Sequence, residues 1–201
     1  MVTAVDIAIL VPEPVRSLAI KLSRQVNPPG FCLNEVDILP HVTLAMGFVE
    51  EVLSIKYRRA YFPKLEKKVL SILEKFKPFE VTVERMEGRF LILKKGAELE
   101  KLHRQITVQV DFVQPANFGG AYFVKPGEVI SDQTKEYTNS FKRENSFGNW
   151  IPHITIGWDE VGSSKLKAKF PQKFTANEVS ICQLGEKNTC RKVLVKLRLK
   201  D

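Results

Sequence analysis

Two short stretches of this chain are copies of one another. Leu39-Pro40-His41-Val42-Thr43-Leu44-Ala45 aligns residue for residue with Ile151-Pro152-His153-Ile154-Thr155-Ile156-Gly157. The shared pattern is aliphatic, Pro, His, aliphatic, Thr, aliphatic, small. The 201 residues contain three histidines, and two of them stand in this pattern. Such internal similarity points to a duplication, with one copy in each half of the chain.

The residue types predict a strand for each copy. In a strand, residues i and i+2 face the same side, roughly 6–7 Å apart. His41 and Thr43 then share one face, with Val42 and Leu44 buried behind them. His153 and Thr155 do the same over Ile154 and Ile156. Proline is tolerated at a strand's start, where its nitrogen need not donate to the ladder.

Two imidazoles and two hydroxyls facing across a cleft suit displacement at phosphorus. That reaction needs a base for the nucleophile and an acid for the leaving oxygen, on opposite sides of the phosphate. Histidine serves either role, because its pKa is about 6.5. Threonine hydroxyls and a protonated imidazole bind the non-bridging oxygens. One motif alone would equally suit a core histidine satisfied by a neighbour; the matched pair carries the reading.

The paired His-x-Thr motifs resemble those of the two-histidine (2H) phosphoesterase superfamily. Its members include 2′–5′ RNA ligase-like proteins and RNA or ADP-ribose cyclic phosphodiesterases. The resemblance extends over most of the chain: a strand and helix before the first motif, the halfway spacing, and a closing strand pair. It implies a bilobal α+β fold of pseudo-two-fold character, with largely antiparallel sheets flanking a central cleft. The whole of 1–201 would be a single domain of two lobes, with one motif in each half (41–43 and 153–155). It further implies hydrolysis of a 2′,3′-cyclic phosphate, at an RNA terminus or on a small nucleotide, without metal or other cofactor and often leaving a 2′-phosphate. By motif, His41, Thr43, His153 and Thr155 form the catalytic set. The pseudo-symmetry leaves open which histidine is base and which is acid. Two alternatives use the same four residues: a 2′–5′ RNA ligase or oligonucleotide phosphodiesterase, and a binding module for nucleotides or RNA ends without turnover.

The rest of the chain also predicts an α+β fold with antiparallel sheet. Strands are expected at Thr3–Val11, within Asp37–Phe48, at Phe79–Glu84, Arg89–Leu93, Trp150–Trp158, Val179–Leu184 and Lys192–Leu199, with a short one at Tyr122–Val124. Helices are expected at Glu13–Gln25, Tyr61–Phe76, about Ala97–Val110 and Lys135–Arg143. Lys-rich Gly162–Lys173 reads as helix or loop.

Other residues are candidates for binding substrate. Arg191, in the turn between the last two strands, could reach a phosphate through its guanidinium fork. Tyr122, Trp150 and Phe48 offer rings on which a base could stack, as does Trp158, although aromatics beside strands more often serve the core. Gly119 and Gly120 permit a close backbone approach to a ligand. Lys165, Lys167, Lys169 and Lys173 form a basic stretch able to steer RNA. His103, among charged helix neighbours, reads as solvated or half-buried.

Composition narrows the context. With 44% hydrophobic and 27% charged residues the chain is globular in type rather than disordered. Thirty-one Lys and Arg against 23 Asp and Glu give a net charge of +8, which favours anionic partners. No apolar run reaches the ~18 residues of a membrane span, and Asp6 interrupts the first apolar stretch, which argues against a signal peptide. A cytoplasmic monomer is expected. Cys32, Cys182 and Cys190 show no paired or zinc-binding spacing, and reduced thiols are expected.

Overall fold

In a computed structural model of the chain, the residues described are 2–28, 30, 32–50, 52–54, 59–61, 63–115, 117–118, 120–157 and 168–200, with backbone alone within 51–62. The elements run β1 (Val2–Leu10), α1 (Val15–Val26), β2 (His41–Glu50), β3 (Val52–Ser54), β4 (Arg59–Tyr61), α2 (Pro63–Leu73), β5 (Phe79–Glu87), β6 (Phe90–Leu93), α3 (Ala97–Gln109), α4 (Asp132–Glu144), β7 (His153–Thr155), β8 (Gln172–Ala176), β9 (Glu178–Leu184) and β10 (Cys190–Arg198).

Two four-stranded antiparallel sheets organise the molecule, in the orders β10-β9-β1-β2 and β7-β6-β5-β8; β3 and β4 pair separately. Each motif strand is an edge strand of its sheet, and the two edges, β2 and β7, pack against each other. The duplication expected from the repeat is thus visible as two sheets meeting at equivalent edges. One apolar cluster joins them. It draws Val42 and Leu44 from the first sheet, Ile154 and Leu91 from the second, and Leu99, Leu102 and Ile106 from α3.

Local chemistry sets most boundaries. Proline opens α2 at its first helical position, where no amide hydrogen is needed. Tyr61, expected in that helix, pairs instead with Val52 in β4. In α3, Glu98 and Glu100 occupy the first turn, where their charge suits the helix dipole. The helix foreseen at Lys135–Arg143 is three residues longer at its start. Ser131 caps it by accepting from the Thr134 amide, and Lys142 and Arg143 lie in its last turn.

Three expectations need correction. Tyr122–Val124 forms no strand; bonds from Ala4 N to Ala121 O and from Phe123 N to Leu184 O tie this loop to the first sheet without continuing as a ladder. The strand foreseen over Trp150–Trp158 is confined to His153–Thr155, since a 3₁₀ turn occupies Phe147–Asn149 and Pro152 lacks an amide hydrogen. Gln172 and Lys173, placed in a helix or loop, begin β8, whose Phe174 and Ala176 face the core while Lys173 and Thr175 are exposed. Gly119, Trp158, Lys165 and Lys167 lie outside the described residues. None of the helices described is long and apolar enough to cross a membrane.

Candidate active site

The two motif strands present their residues alike. Along His41-Val42-Thr43 and His153-Ile154-Thr155 the middle residue is buried and its neighbours are half-buried. Each histidine is anchored in the same way. His41 Nδ1 lies 2.7 Å from the Leu39 carbonyl oxygen, and His153 Nδ1 lies 2.8 Å from that of Ile151. A carbonyl only accepts, so each Nδ1 carries the hydrogen. Each Nε2 is left with its lone pair for chemistry. The intervening Pro40 and Pro152 fix the turn that brings these carbonyls under the rings.

Burial holds both imidazoles towards the neutral form. That of His41 is pushed down to about 4, chiefly by desolvation, opposed by the bond to Leu39 and assisted by the nearby charge of His153. His153 is lowered by desolvation and further by Arg89. The charge of His153 thus reaches His41 across the meeting of the two sheet edges.

The surroundings break the symmetry. In the first sheet His41 pairs with Leu10 and Thr43 with Ala8; two residues back along β1 stands Asp6. In the second, His153 pairs with Ile92 and Thr155 with Phe90; two residues back stands Gly88. Asp6 is fully buried. Its Oδ2 accepts the Thr43 hydroxyl at 2.7 Å and lies 3.4 Å from His41 Nε2. Desolvation raises its pKa from 3.8 to about 7, against the lowering effect of the Thr43 and Cys190 bonds. The Cys190 thiol, 3.8 Å from Oδ2, is itself raised by burial and by neighbouring Cys182. Beside Gly88 the second half offers a cation, Arg89, whose guanidinium lies 5.1 Å from the Phe90 ring centroid. Phe90 in turn meets His153 edge-on at 4.5 Å. Tyr137, on α4, senses both Asp6 and Arg89, and burial raises its phenol.

Asp6, Arg89 and Tyr137 were not singled out as site residues from the sequence. The signal for Asp6 was present as the one ionisable residue of an otherwise nearly apolar strand. Arg89 and Tyr137 carry no such mark, because only the tertiary fold brings a hairpin turn and an exposed helix face to the motifs.

Four proposed substrate contacts are displaced by the structure. Phe48 and Tyr122 are buried and pack against each other, with ring centroids 5.9 Å apart. The Tyr122 hydroxyl is bound to Thr138, and burial pushes its pKa to about 12. Trp150 is buried, and its Nε1 donates to the Thr43 carbonyl at 3.1 Å. Arg191 is almost covered and engaged with Glu128 at 2.5 Å and with the Thr189 hydroxyl at 2.9 Å. Its stem lies where a Cβ on Gly185 would stand. These residues build the walls and present neither ring nor guanidinium to a ligand.

His103 also differs from expectation, being fully buried. Its Nδ1 donates to the Leu44 carbonyl at 2.6 Å, its Nε2 accepts from the Phe147 amide at 3.0 Å, and its ring stacks on Trp150 at 4.0 Å. A bulge at Ile7/Ala8 accompanies this edge of β2, where the successive carbonyls of Thr43 and Leu44 both accept from outside their sheet. Reciprocally, Asn27 at the end of α1 donates to the Ile156 carbonyl at 2.7 Å. The motif edges are therefore stapled by side chains from the opposite half.

No family model matches the sequence, and no curated protein matches it. Solved structures do. TT0787 of Thermus thermophilus aligns with a TM-score of 0.55 at 14% identity over 98% of both chains. E. coli LigT complexed with NADP+ aligns at 0.52 and 14% identity over 100% of both. A phosphoesterase aligns at 0.50 and 15% identity, again over 100% of both. The chain shares the fold of LigT, TT0787 and this phosphoesterase, in line with the expectation from its paired motifs.

Proposed function

We propose that the protein is a cyclic phosphodiesterase that opens 2′,3′-cyclic phosphates at RNA ends or on small nucleotides, with His41 and His153 as its acid–base pair. The observation that carries this reading is the matched anchoring of the two histidines, which leaves two Nε2 atoms as proton carriers at the seam between the sheets. The full-length likeness to a phosphoesterase and to LigT supports an enzyme of this class. LigT's complex with NADP+ supports a nucleotide as substrate.

The asymmetry around the motifs supports one division of roles. His153, beside the Arg89 cation, stays neutral and takes the proton of the attacking water. His41, beside a carboxyl that shares protons in the neutral range, delivers one to the leaving ribose oxygen. An entering phosphate adds negative charge and raises both imidazoles. Arg89 and the Thr155 hydroxyl bind its non-bridging oxygens. Thr43, engaged by Asp6, orders the His41 side of the site. The residues used supply acid, base and charge stabilisation, so the reaction proceeds in EDTA.

A substrate panel tests this: 2′,3′-cyclic nucleotides, oligoribonucleotides with a cyclic phosphate end, ADP-ribose 1″,2″-cyclic phosphate and 2′,5′-linked oligonucleotides, with products read by phosphorus NMR. Ring opening to a 2′-phosphate is expected. His41→Ala and His153→Ala should each slow it by about 10²–10⁴-fold. Binding with no turnover by the wild type on any member of the panel would leave the binding-module reading standing.

A further inference from the structure

Three strands bring three different donor atoms together at the first motif edge. Asp6 Oδ2 from β1 lies 3.4 Å from His41 Nε2 on β2 and 3.8 Å from Cys190 Sγ on β10. All three donors lie within 4.8 Å of one another. Asp6 and Cys190 are fully buried, and Asp6 Oδ1 has no hydrogen-bond partner among the described residues. His41 Nδ1 is held by the Leu39 carbonyl, the kind of outer contact that orients a ligating imidazole.

We propose that Asp6, His41 and Cys190 form a Zn²⁺ site, and that the ion bound there switches the enzyme off. Zinc takes oxygen, nitrogen and sulfur at ~2.0–2.3 Å in a tetrahedron, which places neighbouring donors ~3.3–3.8 Å apart. The two shorter separations already match that spacing without movement of a strand. A mixed sulfur, imidazole and carboxylate set selects a borderline-soft ion over Mg²⁺ or Ca²⁺, which require oxygen shells. The His41 side chain keeps 14% of its surface exposed, so the solvent side of that ring is the way in for an ion. Water or a phosphate oxygen fills the fourth position.

On binding, the Cys190 thiol and the protonated share of Asp6 give their protons to the buffer, and sulfur and carboxylate become anionic ligands. His41 commits its Nε2 lone pair to the metal and no longer carries a proton at that atom. The inhibition rests on the two-histidine reading above; the metal site does not.

The test uses the full chain stripped with EDTA and titrated with Co²⁺, a tetrahedral probe that reports its ligands by colour. One equivalent should give visible ligand-field bands together with a near-ultraviolet thiolate charge-transfer band. Cys190→Ala should lose the charge-transfer band, while Cys32→Ala keeps it. In activity assays on a cyclic nucleotide, Zn²⁺ should inhibit the wild type, and Cys190→Ala should need at least about 10–100-fold more Zn²⁺ for the same fractional inhibition, each protein being compared with its own metal-free rate. Absence of the charge-transfer band in the wild type, or its persistence in Cys190→Ala, would overturn the site. A normal band in a protein that turns over nothing would uphold the site and discard the function. A band present with Zn²⁺ leaving turnover untouched would overturn the switch.

Discussion

At Asp6, a carboxyl has been placed where water cannot reach it, and stability is given up for that placement. Its folded pKa of about 7 stands above the ordinary 3.8. Between those values the folded chain holds a proton that the unfolded chain releases, so the contribution of Asp6 is fullest below pH 3.8 and is lost as pH rises through 7. His41 and His103, both lowered from 6.5 to about 4, act in the opposite sense, and their contribution is lost as pH falls from 6.5 towards 4. Asp6→Asn keeps an acceptor for Thr43 and removes the charge. It should raise unfolding free energy by about 2–3 kcal/mol more at pH 8 than at pH 5, read from urea denaturation at the two pH values. An equal effect at both would mean that the carboxylate is not destabilised by burial. The two threonines should likewise separate. On the proposed function, Thr155→Val would remove a hydrogen bond to the substrate phosphate and should lower kcat/KM by roughly 10–200-fold, the worth of a bond to a charged group. Thr43→Val should lower Tm, because it strips from the buried Asp6 Oδ2 its shorter bond and leaves it only the Cys190 thiol at 3.8 Å.

At the scale of elements, what could be read from the chain was what repeats with a period. The apolar runs of β1, β2 and β9, the shorter mixed runs of β5 and β10 and the helical stripes of α1 and α2 are local signals, and the structure places elements there. Gln172–Ala176 escaped because a five-residue strand with lysine on its outer face gives too few alternations to separate it from a loop. The paired histidines were legible because duplication wrote them twice. His103 was not, since its role depends on an edge carbonyl of a strand some sixty residues away. That role makes a specific claim: the Trp150–His103 stack is a staple between halves. His103→Ala strands the Leu44 carbonyl and the Phe147 amide in a buried setting and should cost about 2–4 kcal/mol in unfolding free energy. Arg104→Ala, on the exposed side of the same helix, should change it by less than about 0.5 kcal/mol. Comparable losses at both positions would remove the staple from the account.

Across the whole molecule, charge and architecture act together. The surplus of eight positive charges attracts phosphate polymers more than single nucleotides. For about two phosphate contacts beyond the reacting one, at a slope of about −0.7 per contact for single strands, kcat/KM on an oligoribonucleotide should fall roughly 7-fold between 50 and 200 mM salt. On a cyclic mononucleotide it should change little, and parallel salt profiles for the two substrates would show that the chain reads no flanking phosphates. The stapled seam has one more consequence. Parting the two motif edges strips donors from the carbonyls of Thr43, Leu44 and Ile156. Heat-inactivation and loss of near-ultraviolet circular dichroism should then trace a single curve, with the catalyst vanishing in the same cooperative step that parts the two sheets.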